Sequence, residues 1–342
     1  MNKTSRRWHR ILALSFGGLV ALWCLSGCLL LWQDWFRPCV RPDTADTSAT
    51  LTGLLSAAHS LYPADSGSWQ LYLPKRADEP VKIIYIANDP FPGPEKPVTL
   101  WLDPYRVTIL AAGESRPPLL EWCYHFHTTL LLPGSSTSAV AMLASILTVL
   151  VVTGLLQRRR RGTDLAAWHS RLGWLSFPGL LTSLVTGLLL LTPQQWWDMP
   201  DKEPVRLSVP AAARPMAVEE AVSLARRHLP DGSSLRSLQL PGDPGLPWSL
   251  AFHRPGSLDV EPAWIRVWVD PWHRRILRIQ PGRGNGRQWF YLIHIGAVLA
   301  PLSRMFMTLG GLGPALLTLT GISRWIRRRK RRHGLSTAQN PA

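Results

Sequence analysis

Acidic residues are scarce in this chain of 342 residues, where 22 Asp and Glu stand against 38 Lys and Arg and give a formal charge of +16. None of the 22 falls within the four long apolar runs. Without intramembrane carboxylates or an evident pore lining, permeation of iron or a chelate has little support. Cysteine is as sparse, at four residues. Cys24 and Cys28 lie one helical turn apart in an apolar run, where packing is their simplest role. Cys39 and Cys123 flank the first polar segment, and their compartment permits a disulfide without requiring one. Neither a nucleotide-binding glycine motif nor a nucleophile elbow is present, so nicotinamide, flavin and hydrolase readings have no support.

Base and tryptophan are plentiful instead. Lys3, Arg6, Arg7, Arg10, Arg158 to Arg161, Arg324, Arg327 to Arg329, Lys330, Arg331 and Arg332 supply 15 of the 38 basic residues, clustered at the ends of apolar runs. A nucleic-acid partner would call for a basic patch or stripe on a folded domain, so it is excluded. The runs extend from Ile11 to Trp32, Ser138 to Leu156, Leu172 to Thr192 and Met305 to Ile326. Each is long enough to cross a hydrocarbon core of roughly 30 Å. The first is too long for a signal-peptide core, and Trp32, Trp35 and Phe36 follow it where a cleavage site would lie.

The three basic clusters then fall on one side, which the positive-inside rule makes the cytoplasm, with both termini there. Trp35, Trp122, Tyr124, Trp196, Trp197, Trp289 and Tyr291 mark the opposite interface. This implies an α-helical integral membrane protein with the lipid bilayer as its solvent, in a multi-pass topology. Its segments are 9–36 (span one), 43–118 (first outer domain), 125–157 (interfacial segment and span two), 165–193 (span three), 200–285 (second outer domain), 288–326 (interfacial segment and span four) and a basic tail, 327–342. Each outer domain reads as one helix followed by short strands. The first has a helix over Thr50–Leu61 and strands over Trp69–Leu73, Val81–Ile86, Val98–Leu102 and Val107–Leu110. The second has a helix over Ala217–His228 and strands over Leu235–Leu240, Trp248–His253, Trp264–Val269 and Ile276–Ile279.

The chain also repeats itself. Leu102-Asp103-Pro104 matches Val269-Asp270-Pro271, Trp122, Tyr124 and His127 match Trp289, Tyr291 and His294, and Thr153-Gly154 matches Thr320-Gly321, all at an offset of 167. Trp8-His9 matches Trp168-His169, and Ser26-Gly27 matches Thr186-Gly187, at an offset of 160. The reading is span–domain–span, twice.

Four of the ten histidines occupy repeated positions beside the spans. His9 and His169 fall near the cytoplasmic face, and His127 and His294 near the outer face. Imidazole pairs from facing helices suit a low-spin haem iron, so two b-type haems per chain are expected, with anchoring at the interface as the plainer alternative. Gly27 and Gly187 outside, and Gly154 and Gly321 inside, would let a flat ring approach the helix backbone. Neither face offers the Cys or carboxylate ligands of a zinc or copper site. His125, whose repeat counterpart is Leu292, is an alternative ligand only. From His127 to Gly154, and from His294 to Gly321, is 27 residues, about 40 Å of straight helix. Breaks are therefore expected at Pro133-Gly134 and Pro301, leaving His127 and His294 on short interfacial helices. Arg7, Arg10 and Arg171 could meet haem propionates or simply hold their loops in the cytoplasm. Arg304, in an apolar stretch near the outer face, could meet a propionate, an anionic substrate or lipid headgroups. His59, His228, His253 and His273 read as surface residues of the outer domains.

Trp168-His169-Ser170-Arg171-Leu172-Gly173-Trp174, Val185-Thr186-Gly187, Trp268-Val269-Asp270-Pro271 and Leu319-Thr320-Gly321 together resemble the PepSY-associated transmembrane family over nearly the whole chain. The resemblance implies an iron-regulated bacterial inner-membrane protein whose outer domains are periplasmic PepSY domains. Some members of that family act as haem-containing ferric-siderophore reductases. It further implies electron entry at the haem of His9 and His169, passage to the haem of His127 and His294, and reduction of a periplasmic ferric siderophore or other ferric chelate, with the cytoplasmic-side donor unidentified. The chain departs from the family pattern after Asp-Pro, where Tyr105-Arg106 and Trp272-His273 stand in place of the usual glycine, and at Pro133 and Pro301. A non-enzymatic PepSY binding or regulatory module remains the competing reading.

Overall fold

The computed structural model describes residues 3–36, 42, 49–63, 67–88, 97–114, 116–133, 136–157, 162–193, 196, 206–211, 213–282, 284–299 and 301–338. Cys39, Gly134, Arg158 to Arg161 and Trp197 lie outside them. The first half contains α1 (Lys3–Leu31), α2 (Leu51–His59), β1 (Gly67–Tyr72), β2 (Val81–Ala87), β3 (Val98–Leu102), β4 (Ile109–Glu114), α3 (Pro118–Thr129) and α4 (Ser136–Leu155). The second half follows the same order, with α5 (Leu165–Leu190), α6 (Val218–Arg226), β5 (Ser234–Leu240), β6 (Trp248–His253), β7 (Ile265–Asp270), β8 (Arg275–Gln280), α7 (Gly286–His294) and α8 (Leu302–Ala338).

The chain divides into two compact units, a helical one over 1–36, 118–197 and 286–342 and a sheet-bearing one over 37–117 and 198–285. In the helical unit α1, α4, α5 and α8 are each long and apolar enough to cross a membrane. Their helices outrun the apolar stretches seen in sequence. α1 begins at Lys3 rather than Ile11, α5 at Leu165 rather than Leu172, and α8 runs on to Ala338. The physical reason is that charge limits what lipid tolerates but does not stop a helix. Asp164 caps α5 by accepting from the Ala167 amide at 2.9 Å, which starts the helix before its apolar face begins. His9 and His169 stand inside α1 and α5, beyond the purely apolar part of each.

α5 and α8 meet backbone to backbone. A Cβ on Gly179 would lie 2.5 Å from the Phe306 carbonyl, and one on Gly310 would lie 2.5 Å from the Gly179 carbonyl carbon. In lipid, where apolar burial gives helices no reason to associate, such small-residue crossings supply the van der Waals contact that does. The even-numbered spans break as their histidine spacing requires. α3 stops at Thr129, Leu130 and Leu131 take positive φ (52° and 59°), and α4 starts only at Ser136. Likewise α7 stops at His294, Gly296 turns at φ 62°, and α8 starts after Pro301.

The other unit is built on one antiparallel sheet in the order β4-β3-β2-β1-β5-β6-β7-β8. The two outer segments thus join edge to edge through β1 and β5, each hiding an edge strand that would otherwise be exposed. Leu71 pairs with Leu238, its counterpart 167 residues on. A single apolar core includes Leu54, Leu71, Ile83, Tyr85, Leu100 and Leu102, together with Ala221, Leu238, Leu250, Phe252, Val267 and Val269. Glu219 on α6 accepts from the Thr52 amide and hydroxyl on α2, at 2.7 and 2.6 Å. Strand β4 starts at Ile109, not Val107. Val107 is at φ 58° in a turn that the Asp103 amide closes on the Thr108 carbonyl at 2.9 Å.

The Asp-Pro pairs end β3 and β7. Asp103 and Asp270 are buried, and each accepts from the amides two and three residues on, at 2.8 and 3.1 Å and at 3.1 and 3.2 Å. The carbonyls of Pro104 and Pro271 accept from the Ala49 and Met216 amides, at 2.6 and 2.9 Å. That contact ties each β-turn to the segment leading into α2 or α6, so the motif's work here is structural.

Candidate functional site

All four repeated histidines lie in the helical unit, and each meets the Ser/Thr-Gly pair of a neighbouring helix. His9 on α1 has its Nδ1 2.9 Å from Thr153 Oγ1 on α4. His169 on α5 has its Nδ1 2.7 Å from Thr320 Oγ1 on α8. His294 on α7 has its Nδ1 3.0 Å from Thr186 Oγ1 on α5. His127 on α3 has its Nδ1 3.4 Å from Ser26 Oγ on α1 and 3.1 Å from the Trp23 carbonyl.

The tautomer follows from counting hydrogens. A hydroxyl has one hydrogen to give. Thr153 gives its hydrogen to the Val149 carbonyl (2.6 Å), Thr186 to Thr182 (2.7 Å), Thr320 to Leu316 (2.8 Å) and Ser26 to Trp23 (2.7 Å). Each oxygen can then only accept, so each histidine donates from Nδ1–H. A neutral imidazole with its proton on Nδ1 carries a lone pair on Nε2, the form a metal takes. For His127 the Trp23 carbonyl compels the same result on its own.

The glycine beside each hydroxyl makes the approach possible. A Cβ on Gly27 would lie 2.7 Å from His127 Cε1, and one on Gly187 would lie 3.2 Å from His294 Cε1. At the other end the distances are 3.4 Å from Gly154 to His9 Cε1 and 3.7 Å from Gly321 to His169 Cε1. What these glycines admit is the imidazole itself, whereas the sequence pointed to a flat ring lying against the helix. Trp23 fixes α3 on α1, donating from Nε1 to the His127 carbonyl at 2.8 Å and stacking on its ring at 5.4 Å.

The histidines come together in the pairs expected from sequence. The rings of His127 and His294 have centroids 6.1 Å apart and planes 40° apart. An imidazole nitrogen sits about 2.0 Å from a bound metal, with the ring centre about 1.1 Å beyond it. Two rings that shared one metal ion in line would therefore have centroids about 6.2 Å apart, close to the 6.1 Å seen. His9 and His169 line one cavity with Gly154, Gln157, Trp174 and Arg324. It measures about 110 Å³, with Trp174 and Phe177 also in its lining.

Among the described residues no three His, Cys, Asp or Glu gather as a metal cluster. Two imidazoles leave a four-coordinate zinc ion short of ligands, but each pair would suffice to hold a macrocycle that brings four nitrogens of its own. The donor set thus fits haem better than a bare ion.

The remaining candidates fall elsewhere. His125 pairs with Glu121 at 3.0 Å and is half exposed. Arg7 and Arg10 are exposed. Arg171 donates to the Gly162 carbonyl at 2.9 Å and lies over the Trp168 ring at 5.4 Å, so it fastens the turn into α5. Arg304 abuts the α7–α8 corner, its backbone nitrogen 2.9 Å from where a Gly296 Cβ would stand. Cys24, Cys28 and Cys123 are buried thiols. Of the four outer histidines, His59 is half-buried with its edge toward Trp69, and His273 pairs with Asp270 at 2.9 Å. Two features escaped the sequence reading. One is the hydroxyls as Nδ1 partners, signalled by a Ser or Thr before each glycine. The other is Arg324, hidden in its basic cluster but three residues past Gly321.

Among known families, the one described as PepSY-associated TM region matches residues 6–328. The chain belongs to this family and is a multi-pass membrane protein. No curated protein matches it.

Proposed function

We propose that this PepSY-associated membrane protein carries electrons across a bacterial inner membrane through two b-type haems, one held by His9 and His169 and the other by His127 and His294, to a ferric chelate outside. The observation that supports this most is the common setting of four imidazoles, each with its Nδ1 beside a Ser or Thr hydroxyl that is itself bonded to a carbonyl of its own helix, an arrangement that favours Nδ1–H and leaves Nε2 free. Simple interfacial anchors have no need of that arrangement. Haem, when bound, supplies one-electron chemistry. The chain's part is to hold Nε2 toward iron, exclude competing ligands and set the spacing.

Along α1, His9 and Gly27 are 18 residues apart, about 27 Å of helix, which nearly spans a hydrocarbon core of roughly 30 Å. The two sites therefore belong to opposite faces. The basic clusters support a cytoplasmic side for the His9–His169 face and both termini, where an as yet unidentified donor would deliver electrons, and a periplasmic side for the sheet unit. We read the doubled element order as an internal duplication, with a periplasmic PepSY domain in each half. Reduction would release iron because the ferrous ion is softer and is held less tightly by the hard oxygen donors of a siderophore.

The test is a single-turnover reaction. Purified protein is reduced without oxygen and mixed with ferric hydroxamate and catecholate chelates beside a chromogenic ferrous trap. Reoxidation of the protein with matching ferrous complex is expected, and His127→Ala should abolish it. Protein that stays reduced with every chelate rules out the reductase and favours a PepSY binding or regulatory role.

A further inference from the structure

Trp23 meets His127 through its backbone, its indole N–H and its indole face at once. The Trp23 carbonyl accepts from His127 Nδ1–H at 3.1 Å, and the indole Nε1–H donates back to the His127 carbonyl at 2.8 Å. The two rings stack, with centroids 5.4 Å and planes 21° apart. The internal repeat breaks at this position. At the offset of 160, Ser183 stands where Trp23 would, and its hydroxyl turns to Met307 Sδ at 3.5 Å. Among the described residues the only ring in contact with His294 is that of His127. A tryptophan of the interfacial belt needs only to sit at headgroup depth. Anchoring does not account for an indole that gives its N–H to one residue's carbonyl and its face to the same residue's imidazole.

From these contacts we infer that Trp23 is a positioning residue of the outer site, setting the plane of the His127 imidazole about its bond to iron. The inference rests on the haem reading of the His127–His294 pair and needs nothing of the other pair. An imidazole held through Nε2 alone can turn about that bond. A hydrogen bond at Nδ1 limits the turn, and an indole lying nearly parallel to the ring blocks what remains. His294 has the hydrogen bond, to Thr186, but no such neighbour. The two imidazoles are therefore held unequally, with planes 40° apart. That angle has a chemical consequence. The relative orientation of two axial rings sets the splitting of the iron d orbitals, and with it the g values of a low-spin ferric centre, so axial geometry is one of the protein's levers on the cofactor.

Electron paramagnetic resonance of the oxidised protein reads that angle, which a role in fastening α3 alone would not move. The low-spin signal missing from His127→Ala identifies the outer haem. Trp23→Leu removes both the stack and the indole N–H, while Trp23→Phe keeps an aromatic face and loses the N–H. Trp23→Leu should keep its outer haem, shift the largest g value of that signal by more than the line width and leave any other signal in place. Trp23→Phe should retain the wild-type value. If the leucine variant cannot be purified, Trp23→Met, which also lacks a ring, takes its place. An unmoved outer signal in the variant without a ring, or a shift of the same size in Trp23→Phe, overturns the assignment and leaves haem at this pair standing. Outer haem lost from every Trp23 variant also overturns it, because Trp23 would then serve only to hold α3 on α1. A wild type with no low-spin signal that depends on His127 overturns the haem reading of the pair itself.

Discussion

His169 Nδ1 lies 2.7 Å from Thr320 Oγ1, and that hydroxyl's own hydrogen goes to the Leu316 carbonyl 2.8 Å away. The imidazole is thus oriented by an oxygen that accepts a hydrogen bond from Nδ1–H while donating its own hydrogen elsewhere. Replacing Thr320 by Val keeps the shape and removes the acceptor. Haem affinity at the His9–His169 site should fall by about 10–100-fold, the usual cost of losing a ligand's hydrogen-bond partner, while Thr320→Ser should restore most of it. Haem titration of the variants measures both, and an unaffected Thr320→Val protein would deny the hydroxyl this role.

The four glycines should rank by the space behind them. Gly27→Ala places a methyl 2.7 Å from His127 Cε1, too close for the ring to stay, whereas Gly321→Ala places one at 3.7 Å from His169 Cε1, an ordinary contact. Gly27→Ala should therefore lose the haem of the His127–His294 site, and Gly321→Ala should keep both. Haem counted per chain decides, and equal tolerance at the two positions would mean that the imidazoles do not bind where they rest in the structure.

Much of this was legible in the chain because chemistry under tight spacing leaves few choices. His9 and Gly27 are 18 residues apart but His127 and Gly154 are 27, a mismatch in depth that already implied a break near Pro133, and the structure turns at Leu130 and Leu131. Lipid also imposes a simple pattern, so four spans stood out. What sequence hid were relations across the fold. The pairing of Leu71 with Leu238 that merges two domains into one sheet lies between segments 167 residues apart, and nothing local announces it. Val107 reads as a strand residue by type but sits in a left-handed turn because Asp103 closes on Thr108. Arg324 was lost among its neighbours because burial, not composition, sets it apart.

That left-handed turn gives a stability prediction. Val107 at φ 58° and Arg274 at φ 52° hold a conformation that costs residues with a side chain about 1–2 kcal/mol. Glycine avoids most of this but loses more entropy on folding, so Val107→Gly should stabilise the sheet unit by about 1 kcal/mol. Near-ultraviolet circular dichroism of the Trp69–Tyr85 core should show melting raised by about 2–4 °C. A lower melting temperature would mean that the Val107 side chain contributes more by packing than its backbone costs.

Acid should weaken the same unit. Burial pushes the Asp270 carboxyl up, but hydrogen bonds from His273 and Trp272 outweigh it and hold it below the usual 3.8. Burial likewise raises Asp259, and Trp264, Lys75 and Arg236 outweigh it. Both are depressed in the native state, so their stabilisation is complete above about 3.8 and is lost as pH falls through the lower native values. Asp270→Asn should flatten the acid limb of the stability profile. A profile that falls equally steeply in the variant would place the sensitivity elsewhere.

The proposed function requires that each histidine pair hold its own haem. Its most direct measurement is haem per chain, with oxidised and dithionite-reduced visible spectra, for purified wild type and for His169→Ala and His127→Ala from haem-replete cells. Two six-coordinate b-type haems per wild-type chain are expected, and each variant should retain one, with different reduced bands. A colourless wild type, or a variant that keeps both haems, would contradict it.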